Sequence, residues 1–408
     1  MSTSLLCHGF GIRGYRQIRA SFEKGAIHFL VEDRKLLSCA ACQSKNVIRR
    51  GAIHRSFKTL PIGRKQCFIQ IAIPRLQCLA CGTTRQAHIR FAQPRVSYTR
   101  AFKRYVLELS CHMTISAIAT LLGVSWDVVK SIQKTALKKA LEKPRLKELR
   151  NLAIDEIYCG KKQKYLTLVL DLDTGAIVFV GEGKGSAALE PFWKRMRVYK
   201  KNIKAVAVDM ANAYFTAVHE NLPKATLVFD HFHIVKLMND KLTKIRRAVQ
   251  REATDKMKQA VLKGTRWLLL KNPENLCSKK GERKKLEEAL RLNEPLYIAY
   301  YLKEDLRQLW SQDSKKKAES VFNDWVKRAE SSGVKELKVM AKTLQRHRRG
   351  ILAYYDHPIS TGKLEGINRK IRVLQRQAYR YRDIEFFKLR LKALHLKMSD
   401  LFPAPSAH

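Results

Sequence analysis

Three carboxylates stand where an acid is out of place. Asp155 sits inside the apolar run LAIDEIYC (152–159), and Asp209 closes AVAVDM (205–210). Glu365 heads GKLEGINRKIRVLQRQAYRYRD (362–383), a cationic stretch with no further acid until Asp383. A lone glutamate repels the polyanion that such a stretch is suited to touch. Two aspartates on neighbouring strands repel each other, and burial raises their pKa values. A divalent cation removes both penalties. Two Mg2+ or Mn2+ ions on oxygen ligands are the apparatus that positions the attacking oxygen and stabilises the leaving one in phosphodiester chemistry. The plainer reading of Glu365 is an acid favoured by the helix dipole at a helix start. Asp230, in FDHFH, competes with Asp209 for the second position. Asp171 and Asp173 precede a glycine and read as hairpin-turn residues.

The neighbours of these acids suggest a nucleic-acid surface. On a helix, Glu365, Asn368, Arg369, Arg372 and Arg376 share one face, with Leu364, Ile367, Ile371, Leu374 and Ala378 roughly opposite. Lys363, Arg369, Lys370, Arg372 and Arg376 are candidate clamps on the phosphate backbone. Asn368 is placed to orient a phosphate or water. His231 and His233, two apart, read as one face of a strand. With Asp230 they are assigned a supporting, substrate-positioning role, metal ligation being the alternative.

A second chemistry belongs to thiols. Cys39 and Cys42 form one CxxC pair, Cys78 and Cys81 another. Four thiolates suit tetrahedral zinc and leave no open position, so the site is structural. A redox motif needs one pair and a thioredoxin-like βαβ context, which is missing here. The gap between the pairs is long for a ribbon, and an intervening hairpin would fill it. Cys7, Cys67, Cys111, Cys159 and Cys277 read as ordinary core thiols.

A third constellation is TISAIATLLGVSWDVVKSIQKTALKKAL (114–141). Ile118, Leu122, Val124, Val129 and Ile132 make an apolar face, Ala119 is small, Gly123 suits a positive-φ turn and Ser125 suits an N-cap. This spacing predicts a helix-turn-helix whose second helix starts near Trp126 and presents Trp126, Asp127, Lys130, Ser131 and Lys134 outward. Asp127 is a poor phosphate contact but can accept from cytosine.

The elements that must position these groups follow from the pattern. The chain has 408 residues, 45% of them apolar, and 80 Lys+Arg against 36 Asp+Glu give +44. That excess points to a polyanionic partner, nucleic acid first. There is no uninterrupted apolar run near 18 residues and no signal peptide at the start. Cytoplasmic, nucleoid-associated localisation is expected, with no membrane partner. Residues 15–33 read as a hairpin around Lys24-Gly25. Runs at 152–159, 164–173, 176–183, 203–210 and 225–235 read as five strands, with helical segments at 186–199 and 211–222 between them. The order β-β-β-α-β-α-β predicts a mixed sheet with helices on its faces. Strands one and four can then be neighbours, bringing Asp155 to Asp209. Residues 240–350 read as long charged helices with an exposed loop at LKNPENLCSKKGERKK. Trp267, Trp310 and Trp325 are their expected core anchors.

Taken together, AIDEI, VAVDM…AY, FDHFHIVKLMND, RRGILAYYDHP and GKLEGINRKIRVLQRQAYRYRD resemble the DDE transposases of bacterial insertion sequences, in the ISL-three group. The likeness runs from the first CxxC pair to about Met398. It implies an α/β, multi-domain chain: a ribonuclease H-like mixed sheet with a large helical insertion, preceded by a zinc ribbon and a helix-turn-helix. The implied layout is a hairpin and four-cysteine zinc ribbon (1–95), a helix-turn-helix domain (96–147), a first catalytic part (148–239), a helical insertion (240–350), C-terminal catalytic helices (351–398) and a tail (399–408). Carried over residue by residue, the triad falls on Asp155, Asp209 and Glu365. The chain departs from the family's pattern at Thr361 and Arg380. The resemblance implies an enzyme that binds terminal inverted repeats, cleaves DNA with two Mg2+ or Mn2+ ions and transfers the strand to target DNA. Synapsis of two ends calls for a homodimer or larger on DNA. The competing readings are a catalytically inactive or domesticated DNA-binding regulator and a stand-alone ribonuclease H-like nuclease.

Overall fold

The computed structural model describes residues 4–33, 37–141, 146–160, 164–210, 212–229, 231–253, 262–291, 293–359, 362–378, 381–397 and 401. The chain divides into two compact units, 1–143 with 396–408, and 144–395.

The first unit is built on a five-stranded sheet. Strand β1 (Tyr15–Glu23) turns through Lys24 (φ 50°) and Gly25 (φ 77°) into β2 (Ala26–Asp33), the two positive-φ residues that a two-residue hairpin needs. A long hairpin, β3 (Val47–Ile62) with β4 (Lys65–Cys78), fills the gap between the two cysteine pairs. The order is β1-β2-β4-β3, with β5 (Thr84–Gln86) beside β4. Alternate residues Ile27, Phe29, Val31, Ile69, Ile71 and Ile73 face a core that Leu6, Phe10, Phe57 and Phe91 complete. Three helices follow: α1 (Arg100–Leu109), α2 (Ile115–Leu122) and α3 (Trp126–Ala140). Thr99, Thr114 and Ser125 each cap one, accepting from the N–H of Phe102, Ala117 and Val128. Between α2 and α3, Gly123 has φ 57°, and a Cβ there would meet Gln66 Nε2 at 2.1 Å. Lys58 Nζ donates to Gly123 O and Gln66 Oε1, both at 2.8 Å, and so ties the turn to β3 and β4.

The second unit is a mixed sheet of β6 (Asn151–Gly160), β7 (Lys164–Asp171), β8 (Ile177–Glu182), β9 (Ala205–Val208) and β10 (Thr226–Phe229), ordered β10-β9-β6-β7-β8. The first three strands run antiparallel as a meander, and β9 and β10 add parallel to β6, the ribonuclease H-like arrangement. Strand β9 reads AVAV and is buried throughout, as expected for a strand covered on both faces. Helices α4 (Glu190–Met196) and α5 (Asn212–Asn221) make the crossovers, and α6 (His231–Glu252) leaves β10. One face carries Leu152, Ile154, Val206 and Val208. Its apolar cluster is continuous with a helical region of α7 (Glu282–Arg291), α8 (Glu294–Arg307), α9 (Lys315–Ser331) and α10 (Lys335–Arg346). A short helix α11 (Arg348–Leu352) returns to β10, where Gly350 makes room for the Phe229 ring: a Cβ would sit 2.4 Å from its edge. The other face carries Ala153, Ile157, Leu168, Ala205 and Ala207 and is covered by α12 (Gly362–Gln377) and α13 (Ile384–Lys392). Leu364, Ile367, Ile371 and Leu374 of α12 are buried there, each contributing about 1.5–3 kcal/mol.

Four expectations change. The fifth strand stops at Phe229, and His231 and His233 lie on the first turn of α6. The helical spacing of Ile234, Met238, Leu242, Ile245 and Val249 overrides the local alternation of HFHIV. The loop expected at 270–285 holds two short 3-10 turns, and its end is already helix, α7 starting at Glu282 behind Gly281 (φ 60°). Trp325 is a core anchor, 1% exposed, with its Nε1 donating to Leu302 O at 2.7 Å, but Trp267 is 66% exposed and Trp310 only half-buried. Of the five remaining cysteines only Cys67 is buried.

Candidate catalytic and DNA-reading sites

Strands β6 and β9 pair in parallel as Asn151↔Ala205, Leu152↔Val206 and Ala153↔Ala207, an offset of 205 − 151 = 54. The same offset carried forward sets Asp155 level with Asp209 (155 + 54 = 209). Alternation gives both aspartates the parity of Ala153 and Ala207, which is the face that α12 covers. Asp155 Oδ1 accepts from the Glu156 N–H at 2.7 Å, and its Oδ2 accepts from Asn368 Nδ2 of α12 at 2.7 Å. That second bond orients the Asn368 amide, since the flipped form would set oxygen against carboxylate. It leaves Asn368 Oδ1 buried with no hydrogen-bond partner. A buried oxygen beside aspartate is what a cation, or water held by one, would satisfy.

Glu365 is half-exposed one helical turn before Asn368, and Arg369 Nη2 donates to its Oε1 at 2.6 Å. Glu365 is thus paired within its own helix. Among the described residues, the only set of three or more His, Cys, Asp or Glu donors within 4.8 Å of one another is formed by the cysteines. Arg369, Lys370, Arg372 and Arg376 lie along α12, Arg369 pointing well into solvent. Lys363 is different: its Nζ donates to Leu172 O (3.0 Å) and Asp173 O (2.7 Å), tying α12 to the β7–β8 turn. Asp171 and Asp173 are turn residues, accepting from the Asp173 N–H and Thr174 Oγ1, and from Asn151 Nδ2. His231 packs on Trp310 and Tyr354, and on a helix it cannot share a face with His233. Asp230, Thr361 and Arg380 lie outside the described residues.

Sequence reasoning missed the opposite face of β6. Glu156 has the other parity and meets Tyr214, which is 1% exposed. Tyr214 Oη donates to Glu156 Oε1, accepts from the Gly185 N–H at 3.0 Å and lies 3.1 Å from Thr167 Oγ1. Burial pushes the Tyr214 phenol well above its ordinary range, and the Glu156 carboxylate adds to the effect. The visible signal was an acid directly after Asp155 and a tyrosine shortly after Asp209.

The cysteine site is compact. Cys39 and Cys81 Sγ lie 3.7 Å apart and Cys42 and Cys78 3.5 Å, close to the edge of about 3.8 Å that four ligands at about 2.3 Å around tetrahedral zinc would have. Backbone N–H groups of Cys42 and Ala41 hold the Cys39 thiol down to about 6. The side chain and N–H of Thr83 lower Cys81. The Ser44 N–H pulls Cys42 down, but the crowding thiols of Cys81 and Cys78 outweigh it and push it up to about 12. Four thiols this close cannot all ionise without a cation among them. In the helix-turn-helix, Trp126, Asp127 and Ser131 are exposed, Lys130 and Lys134 half-buried, and Lys130 Nζ stands 5.2 Å over the Trp126 ring.

A zinc-binding ribbon, a helix-turn-helix and a ribonuclease H-like sheet, in that order, define a nucleic-acid-processing protein with its reading modules ahead of its catalytic sheet. The chain belongs to the ISL3 family of transposases. A family profile described as Transposase matches residues 152–391, a helix-turn-helix domain of transposase family ISL3 matches 87–136, and a zinc-finger of transposase IS204/IS1001/IS1096/IS1165 matches 35–81. The transposase for insertion sequence element IS1001 of Bordetella parapertussis is 30% identical over 90% of this chain and 90% of its own length. The transposase for IS1557 of Mycobacterium tuberculosis is 28% identical over 85% of this chain and 83% of its own. Among solved structures, the Drosophila P element transposase strand transfer complex aligns over 75% of this chain and 94% of that one, at 12% identity and a TM-score of 0.37, too loose to establish a shared fold. No helix among the described residues is long and apolar enough to cross a membrane.

Proposed function

We propose that this transposase binds the terminal inverted repeats of an insertion sequence and catalyses metal-dependent cleavage and strand transfer through Asp155, Asp209 and Glu365. The observation that carries this reading is the parallel register of β6 and β9 beneath α12, together with the Asn368–Asp155 hydrogen bond and the unsatisfied Asn368 oxygen. Asp155, Asp209 and Glu365 would hold two Mg2+ or Mn2+ ions, which supply Lewis-acid stabilisation of the attacking and leaving oxygens at a phosphodiester. Glu365 must first leave Arg369. An exposed i,i+4 pair is worth about 0.3–0.5 kcal/mol, so its release is nearly free, and a phosphate takes over the guanidinium. Asn368 keeps Asp155 in one rotamer. Arg369, Lys370, Arg372 and Arg376 hold the phosphate backbone, while Trp126, Lys130, Ser131 and Lys134 meet the repeat. Hydrolysis frees a 3′ hydroxyl at the element end, and that hydroxyl then attacks a target phosphodiester, joining the element's 3′ end to the target's 5′ phosphate and releasing a 3′ hydroxyl on the target. Joining two ends at one target calls for two or more copies of the chain on DNA. The zinc ribbon has the structural part, holding β3, β4 and β5 for end recognition.

The test is Glu365→Gln, assayed with the element's own ends. Strand transfer should fall below detection, while end binding stays equal or tightens because a negative charge near phosphate is gone. Strand transfer at the wild-type rate by a well-folded Glu365→Gln protein would remove Glu365 from the site.

A further inference from the structure

Among the described residues, the paired register of β6 with β9 ends at Ala153 and Ala207, two positions before Asp155 and Asp209, and β9 itself ends at Val208. The strand ladder therefore does not by itself fix the distance between the two aspartates. Without a cation they repel each other, and strand ends beyond the paired register yield to that repulsion. A tie across this gap lies on the opposite face of the sheet. Glu156 directly follows Asp155, and Tyr214, on the first turn of α5, comes five residues after Asp209. Tyr214 Oη donates to Glu156 Oε1, and so joins the chain just past one aspartate to the chain just past the other. The same oxygen accepts from the Gly185 N–H at 3.0 Å and lies 3.1 Å from Thr167 Oγ1, which donates to Gly183 O at 3.0 Å. Packing alone does not call for this arrangement. The Glu156 side chain is only 15% exposed, and Lys184 Nζ at 3.4 Å offsets only part of its charge. A buried carboxylate is costly, and an apolar pair would fill the same space. What the hydrogen bond adds is a direction and a fixed length.

We propose that Glu156 and Tyr214 are positioning residues for the divalent-cation site, their bond setting the spacing of Asp155 and Asp209 before any ion arrives. The proposal rests on the reading of those two aspartates as metal ligands. Both residues act through the strands that carry the aspartates, from the face that α12 does not cover. Ligands already held at the right spacing lose less free energy to reorganisation when the ion binds. Supporting contacts of this kind are worth about 10- to 100-fold in metal affinity.

The experiment is Mn2+ binding to the zinc-loaded full chain without DNA, read from the electron paramagnetic resonance signal of free Mn2+. It is run at a temperature where melting curves show each variant folded. Asp155→Asn defines the carboxylate site as the Mn2+ binding that it loses. Tyr214→Phe changes no charge, so its effect is not one of through-space electrostatics. It should weaken Mn2+ at the carboxylate site by about tenfold, with the number of ions unchanged. A bond that only stabilises the fold would lower the melting temperature and leave the affinity of the folded protein where it was. Thr167→Val, also neutral, should weaken Mn2+ by about threefold through one lost hydrogen bond, and it decides the matter where Tyr214→Phe does not fold. Mn2+ binding that Asp155→Asn leaves untouched overturns the carboxylate reading and this proposal with it. Loss of Mn2+ in Asp155→Asn, with affinity within about twofold of wild type in the folded neutral variants, overturns the positioning role alone.

Discussion

Replacing Tyr214 with phenylalanine deletes one oxygen from the buried network behind the Asp155 strand. That oxygen donates to Glu156 Oε1 and accepts from the Gly185 N–H at 3.0 Å. A hydrogen bond to a charged group contributes about 1.5–3 kcal/mol, and an unsatisfied buried N–H costs about 1–3 kcal/mol. Lys184 Nζ remains 3.4 Å from Glu156 Oε2 and offsets part of the loss, although its own side chain is 61% exposed. The net expectation is a loss of about 2–4 kcal/mol, read as a lower urea midpoint at unchanged slope. Glu156→Gln in the same background should be non-additive, with a coupling of about 1 kcal/mol or more. The pH dependence has a definite sign. Burial and Glu156 raise the folded phenol's pKa, so the unfolded chain gives up its proton first. The stabilisation is complete below the ordinary tyrosine range near 10 and is lost as pH rises above it, a slope that Tyr214→Phe should lack. A loss under about 0.5 kcal/mol, or strict additivity with Glu156→Gln, would refute the network's role.

Arg369→Gln should leave stability within about 0.5 kcal/mol, because the pair it breaks is exposed, yet weaken DNA binding through a lost phosphate contact; calorimetry and a binding titration check both. Lys130→Ala or Lys134→Ala should weaken binding to all duplexes alike and reduce the slope of log K against log salt by about 1 each, and a slope that does not move would place those lysines off the backbone. Cys42→Ser should lower zinc from one ion per chain and loosen the β3–β4 hairpin, seen by metal analysis and amide exchange; full zinc occupancy in that variant would remove Cys42 from the ligand set.

Local spacing carried much of this protein. Two CxxC pairs, a glycine between two amphipathic helices and five β-branched runs are each written within short windows, because capping, turn chirality and burial periodicity act over a few residues. The β-β-β-α-β order even implied that Asp155 and Asp209 would be neighbours, since a strand returning through a crossover helix adds parallel to the first. Other features depend on contacts between distant segments. HFHIV alternates like a strand, but the apolar stripe of α6 takes it into the helix. Trp267 reads as a core residue and ends up exposed, the buried positions of its short helix being taken by Leu268 and Leu269. Glu365 turns to Arg369, Lys363 to the Leu172 and Asp173 carbonyls, and Glu156 to Tyr214. In each case the side chain's type was plain, but its partner was chosen by register and packing between elements remote in the chain.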